Sequence, residues 1–240
     1  MKPILVTGGA KGLGAMLCKQ LAARGHEIVI HFHKSEREAE STMKVCQNLG
    51  VMAETIQGDF STTSSLDLFT QEYLDRFPST KGIVNNVGNY LISLPSKVEK
   101  EDWQSLFQTN FFAPVSLIQS ILPQLKQEKG RIVNLGTSGL LPMKAFLNIT
   151  AYAITKSALW LYTRSLAKEL ANDHITVNMV SPGFLETAID LDKNSKFVPI
   201  LPMGRPAKLE EVASVVTFFF EPENQYITGQ NIEVAGGFGL

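Results

Sequence analysis

Short apolar runs alternate with helical patterns along almost the whole chain, and no other feature restricts the fold as tightly. Strands are expected over 3–7, 28–32, 53–57, 82–85, 131–135, 175–180 and 231–234. Helices are expected between them over 13–24, 36–49, 66–77, 103–127, 152–171 and 209–220. In the first helix, Leu13, Leu17 and Leu21 recur one turn apart and Gly25 ends the run. The strands are nearly continuously apolar, as strands covered on both faces are. Such alternation implies an α/β fold: a parallel sheet with helices on both faces. No linker or composition shift divides the 240 residues, so one doubly wound domain is expected.

Composition removes several function classes. A net charge of −1 provides no basic field for nucleic acid. No apolar run approaches the roughly 20 residues of a membrane span. The first residues run directly into a strand-like segment without the apolar stretch of a signal peptide. Cys18 and Cys46 lack metal-ligand spacing, and two free thiols suit a cytoplasmic location. The last helix, with Val212, Val215, Val216, Phe218, Phe219 and Phe220, is apolar on more than one side. A deep core or a subunit interface would explain that.

Two local patterns point to chemistry. The first is Thr7-Gly8-Gly9-Ala10-Lys11-Gly12-Leu13-Gly14, between the first strand and the first helix. Glycines allow a tight turn and close approach to a pyrophosphate, and the helix N-terminus offers N–H groups and positive partial charge. The second is Tyr152 with Lys156 four residues on, one turn apart on one helix face. A phenol has a pKa of about 10, and a neighbouring cation lowers it. A phenol so tuned exchanges a proton with a substrate oxygen.

The glycine spacing is Gly-x-x-x-Gly-x-Gly. With Asn85-Asn86-Val87-Gly88, Asn110, Tyr152-x-x-x-Lys156 and Ser181-Pro182-Gly183 in this order, the whole chain resembles the short-chain dehydrogenase/reductase family. The resemblance implies a seven-stranded Rossmann sheet, a nicotinamide cofactor and hydride transfer at a carbonyl or imine-like carbon. It also implies cofactor contacts from Gly8, Lys11, Gly12, Leu13 and Gly14, and from Asn86 and Gly88 beside the fourth strand. Asp59 and Phe60 fall where relatives hold the adenine, and Pro182, Gly183, Leu185 and Thr187 where they hold the nicotinamide. After the second strand stand His33, Lys34 and Ser35, with no acid before Glu36. An acid there would hold the ribose 2′-hydroxyl of NAD. A cation and a hydroxyl suit a 2′-phosphate instead. Lys11 adds a second cation, so NADPH is the expected cofactor.

By the same resemblance, Tyr152 protonates the substrate oxygen, while Lys156 lowers the Tyr152 pKa and holds the nicotinamide ribose. Asn110 matches the family's helix asparagine that positions a proton-relay water. Pro114, four residues on, has no N–H, which frees the Asn110 carbonyl for water. Relatives carry a serine shortly after the fifth strand. Thr137 and Ser138 both answer to it here, and either hydroxyl can bond a carbonyl oxygen.

For substrate, Pro182 to Thr187, Pro202-Met203-Gly204-Arg205-Pro206 and Ile227-Thr228-Gly229-Gln230 resemble 3-oxoacyl-[acyl-carrier-protein] reductases. The expected substrate is therefore a small-molecule carbonyl compound, an acyl thioester included. Such reductases present arginines before the fifth and sixth strands to an acidic carrier. Here those stretches read Gln127-Glu128-Lys129 and Asn172-Asp173-His174, whose acids would repel it. The stretch His31-Phe32-His33-Lys34-Ser35 and Tyr90 resemble pteridine reductases, the second reading. Those enzymes carry an aspartate where Thr137 stands. A third reading is an NADPH-binding sensor without turnover. Residues 185–202, with Ile189, Leu191, Phe197, Val198 and Ile200, are expected to form a substrate lid. A homotetramer or dimer is the family expectation.

Overall fold

The computed structural model describes residues 1–140, 145–187 and 201–239. Seven strands form one sheet: β1 Ile4–Val6, β2 Ile28–Phe32, β3 Ala53–Gln57, β4 Gly82–Asn85, β5 Arg131–Leu135, β6 Thr176–Pro182 and β7 Asn231–Val234. Every pairing is parallel and the order is β3-β2-β1-β4-β5-β6-β7. The order reverses direction between β1 and β4, where open α/β sheets hold their ligands beyond the strand C-termini.

The helices are α1 Gly12–Ala23, α2 Glu36–Asn48, α3 Thr63–Arg76, α4 Lys100–Phe107, α5 Ala113–Glu128, α6 Thr150–Leu170 and α7 Leu209–Phe218. Strand side chains alternate between two cores, because successive residues point to opposite faces. Ile4, Val6, Ile28, Ile30, Val84 and Val133 pack against α1, α2 and α7. Leu5, Val29, Ile83 and Ile132 pack against α3, α5 and α6. The expected parallel sheet with helices on both faces is thus what forms.

Three elements differ from the sequence expectations. The helix expected over 66–77 begins earlier because the Thr62 side chain caps it, accepting from the Ser65 N–H at 3.1 Å. The long helix expected over 103–127 is interrupted by a π turn over Gln108–Phe112, where the Ala113 N–H reaches back five residues to the Gln108 carbonyl. Pro114 supplies the reason: it has no N–H for the Asn110 carbonyl, and its ring crowds that carbonyl, so the turn widens. The two-sided apolar character of the last helix has a local explanation. Phe219 and Phe220, just past α7, are 1% and 4% exposed within the protein's own core. The lid expected over 185–202 lies largely outside the described residues.

Candidate functional site

The glycine loop and its neighbours form a cleft beyond β1, β2 and β3. Its volume is about 370 Å³ and its lining includes Gly8, Lys11, His33, Lys34, Ser35, Asp59 and Phe60. Seven residues expected at a cofactor from the sequence therefore share one wall. Helix α1 has no side-chain cap at Lys11, so its first-turn N–H groups remain open to an anion. Gly14 is required by close packing: a Cβ there would run into the Gly8 carbonyl and lie 2.9 Å from Asn86 Nδ2. Asp59 accepts from the Ser61 N–H at 2.9 Å and the Ser61 hydroxyl at 2.8 Å. Those bonds hold its carboxyl below the usual range, the backbone one foremost.

Some sequence-selected groups face inward instead. Asn86 Nδ2 donates to the carbonyls of Thr7 at 2.9 Å and Gly8 at 3.3 Å. Its side chain braces the glycine loop. Thr7 Oγ1 accepts the N–H groups of Asn86 and Val87, joining β1 to the end of β4. Pro182, Gly183 and Leu185 stand at the far end of β6. There the Gly183 N–H donates to Val234 and Leu185 bridges to Ala207. Thr187 is exposed at the last described position before the gap.

A second cluster gathers around α6. The Thr137 side chain lies beside the Tyr152 hydroxyl and draws its pKa down. Lys156, 3% exposed, lies with Nζ 5.8 Å from the centre of the Tyr152 ring and donates to the Leu135 carbonyl at 2.8 Å. Gly88 gives it space: a Cβ there would sit 3.3 Å from Lys156 Nζ and 3.2 Å from Asn110 Oδ1. Asn110 is fully buried. Its Oδ1 accepts the Asn89 N–H at 2.7 Å, and its Nδ2 donates to the Asn89 carbonyl and Thr155 Oγ1. Its side chain is thus engaged on both ends.

Electrostatics depart from the sequence expectation at one point. Lys156 was to lower the Tyr152 pKa, but burial dominates and the phenol is pushed up to about 12, with the Thr137 side chain pulling the other way. Burial also pulls Lys156 down to about 8. At neutral pH the phenol holds its proton and the amine is still mostly an ammonium.

Thr137 and Ser138 stand in different surroundings. Thr137 touches Tyr152, whereas Ser138 is buried and its N–H donates to the Pro182 carbonyl at 2.9 Å. The next N–H, of Gly139 at φ 76°, donates to Glu233 Oε1 at 2.9 Å. Glu233 and Thr155 are site-building residues that the sequence reading did not single out, and His31 entered it only within the stretch His31 to Ser35, with no role of its own. Thr155 Oγ1 donates to the Tyr152 carbonyl at 2.8 Å while receiving the Asn110 amide. Their only sequence signals were polar residues in otherwise apolar elements. Tyr90 packs edge-on to Tyr152, with ring centres 4.8 Å apart.

Among the described residues no helix is long and apolar enough to cross a membrane. Residues 2–197 match the family model for short chain dehydrogenase. A 3-oxoacyl-[acyl-carrier-protein] reductase from Staphylococcus aureus is 30% identical, covering 98% of this chain and 97% of its own. An acetoin dehydrogenase from Salmonella typhimurium superposes with a TM-score of 0.89 at 30% identity, covering 99% and 95%. A blue fluorescent protein from a metagenomic library, solved in complex with NADPH, gives 0.91 at 29% identity, covering 100% and 98%. The chain belongs to the short-chain dehydrogenase/reductase family of oxidoreductases, which use nicotinamide cofactors.

Proposed function

We propose that this protein is an NADPH-dependent reductase of a small carbonyl compound, of the 3-oxoacyl thioester or related ketone type. The observation that carries the reading is the Tyr152 phenol standing one helical turn from the buried ammonium of Lys156, whose Nζ lies 5.8 Å from the Tyr152 ring centre, with the Thr137 side chain beside the phenol. The groups lining the cleft suit NADPH: an uncapped helix start and a glycine loop for the pyrophosphate, and Lys11, Lys34 and Ser35 for a 2′-phosphate. A neighbour of known structure binds NADPH, in keeping with that choice. NADPH supplies the hydride when bound.

The protein's own groups supply the rest. Thr137 donates to the carbonyl oxygen and orients it at Tyr152. Tyr152 holds a proton at neutral pH and gives it from Oη to that oxygen as negative charge develops there. The phenolate left behind is stabilised by the Lys156 ammonium, whose burial strengthens that attraction. Asn110 anchors the Gly88–Asn89 turn beneath the site and offers its carbonyl to a water that returns a proton towards Lys156.

Glu128 pairs with Lys2 at 3.0 Å and Asp173 with Lys126 at 2.9 Å. Those pairs offset the acids expected to repel a carrier protein, which favours the thioester arm. Tyr90 beside Tyr152 favours the second reading, reduction of a planar pterin. Assembly into a homotetramer or dimer completes the proposal, with Phe112 and Leu161 exposed on α5 and α6 or their junctions.

The test is NADPH consumption with acetoacetyl thioester and, separately, 7,8-dihydrobiopterin, for wild type and Tyr152→Phe. Thioester turnover that Tyr152→Phe abolishes, with NADPH binding retained, supports the reading. Turnover of the pterin alone installs the second. NADPH binding with no turnover of either, or a Tyr152→Phe protein within a few-fold of wild type, overturns the proposed chemistry.

A further inference from the structure

The glycine loop is held from beneath by a ring that belongs to neither the motif nor the catalytic cluster. His31, the fourth residue of β2, is 2% exposed and uses both ring nitrogens. The Gly8 N–H donates to Nδ1 at 3.0 Å, so Nδ1 carries no proton. Nε2 therefore bears the hydrogen and donates to the Gly58 carbonyl at 3.1 Å. The ring stacks on Phe60, with centres 4.1 Å apart and planes 5° from parallel, and Phe69 meets it edge-on. Gly8 begins the loop at the pyrophosphate end of the cleft. Gly58 precedes Asp59 and Phe60 at its other end.

We propose that His31 is a positioning residue for the cofactor: one neutral imidazole sets the spacing between the glycine loop and the β3–α3 loop. This rests on the NADPH reading above. The two loops have no other tie of this kind among the described residues. A ring that accepts on one side and donates on the other fixes both backbone groups at once. No aliphatic residue can do so. Around the ring the titratable and charged groups are Lys11 of the glycine loop, His33 and Lys34 after β2, and Asp59 of the β3–α3 loop. Protonation of Nδ1 would set two N–H donors against each other at Gly8. Burial opposes it and pulls the ring down to about 4.

NADPH binding by the whole protein, followed by fluorescence titration, tests the role without turnover. His31→Phe keeps the stacking on Phe60 but leaves the Gly8 N–H without its acceptor, and binding should weaken about tenfold. His31→Asn places an amide oxygen where Nδ1 stood and should stay within about threefold of wild type. Equal affinity for His31→Phe and wild type, or equal losses in both variants, overturns the assignment. Should His31→Phe fail to fold, ring ¹⁵N resonances of the wild-type protein decide. A neutral Nε2–H ring down to about pH 5.5 is expected, and one titrating near 6.5 overturns the assignment. Wild type that binds no NADPH would refute the cofactor reading itself, a result separate from these.

Discussion

A lysine buried in the core makes folding stability depend on pH in the alkaline range. The unfolded chain holds the Lys156 proton up to its ordinary value of 10.5, whereas burial in the folded protein holds it only to about 8. Between those values the unfolded state binds the extra proton, so the folded state gains stability as pH rises. Below about pH 8 the full penalty is present; the gap is worth about 3 kcal/mol. From about pH 7 to about pH 9.5, roughly 2 kcal/mol of it is recovered. Lys156→Met has similar length and no charge, so it lacks this dependence. Urea unfolding of both proteins at both pH values measures the double difference, in which Cys18, Cys46 and the tyrosines cancel. Wild type should gain about 2 kcal/mol over the variant on going to the higher pH. A double difference below about half a kcal/mol, or of opposite sign, would mean that Lys156 is solvated in solution and the burial argument is wrong.

Three further outcomes are expected. Thr137→Ala should lower the turnover number about a hundredfold, as loss of a hydroxyl beside the proposed proton donor does, and Ser138→Ala less than threefold; the reverse order in steady-state kinetics would move the role to Ser138. Lys34→Asp should shift the NADPH-to-NADH preference by about tenfold or more towards NADH, because it removes a cation and supplies an acid for the 2′-hydroxyl; an unchanged ratio of kcat/KM values excludes Lys34 as the 2′-phosphate group. Gly14→Ala should weaken NADPH binding at least about tenfold or cost about 2 kcal/mol of stability, since the added methyl meets the Gly8 backbone. Normal values of both, by titration and thermal melting, would show that the loop is not packed in this way.

The strands were legible because apolar runs bounded by turns are local signals. Five of the seven have the bounds read from the chain, and the other two differ by a few residues. The break at Gln108–Phe112 was half legible: Pro114 marks the orphaned carbonyl, but whether the helix kinks or widens depends on packing against α6 and the Asn89 turn. The clustered apolar residues of α7 read as either a deep core or an interface from composition. Which neighbour a side chain meets is a long-range property, and Phe219 and Phe220 meet their own sheet.

The glycine loop, the Tyr152–Lys156 pair and the cations after β2 lie within single segments. Spacing along a helix or turn fixes their mutual geometry, so the sequence by itself determined the fold class and the family and singled out the candidate groups of the site. It did not determine how those parts are tuned. Lys156 points to the Leu135 carbonyl, burial raises the Tyr152 phenol rather than lowering it, and Thr137 rather than Ser138 reaches that phenol. His31 reaches Gly8 across 23 residues and Glu233 reaches Gly139 across 94. Only the tertiary structure decides these, because desolvation and hydrogen bonds between distant segments depend on what the folded chain brings together and what it excludes from water.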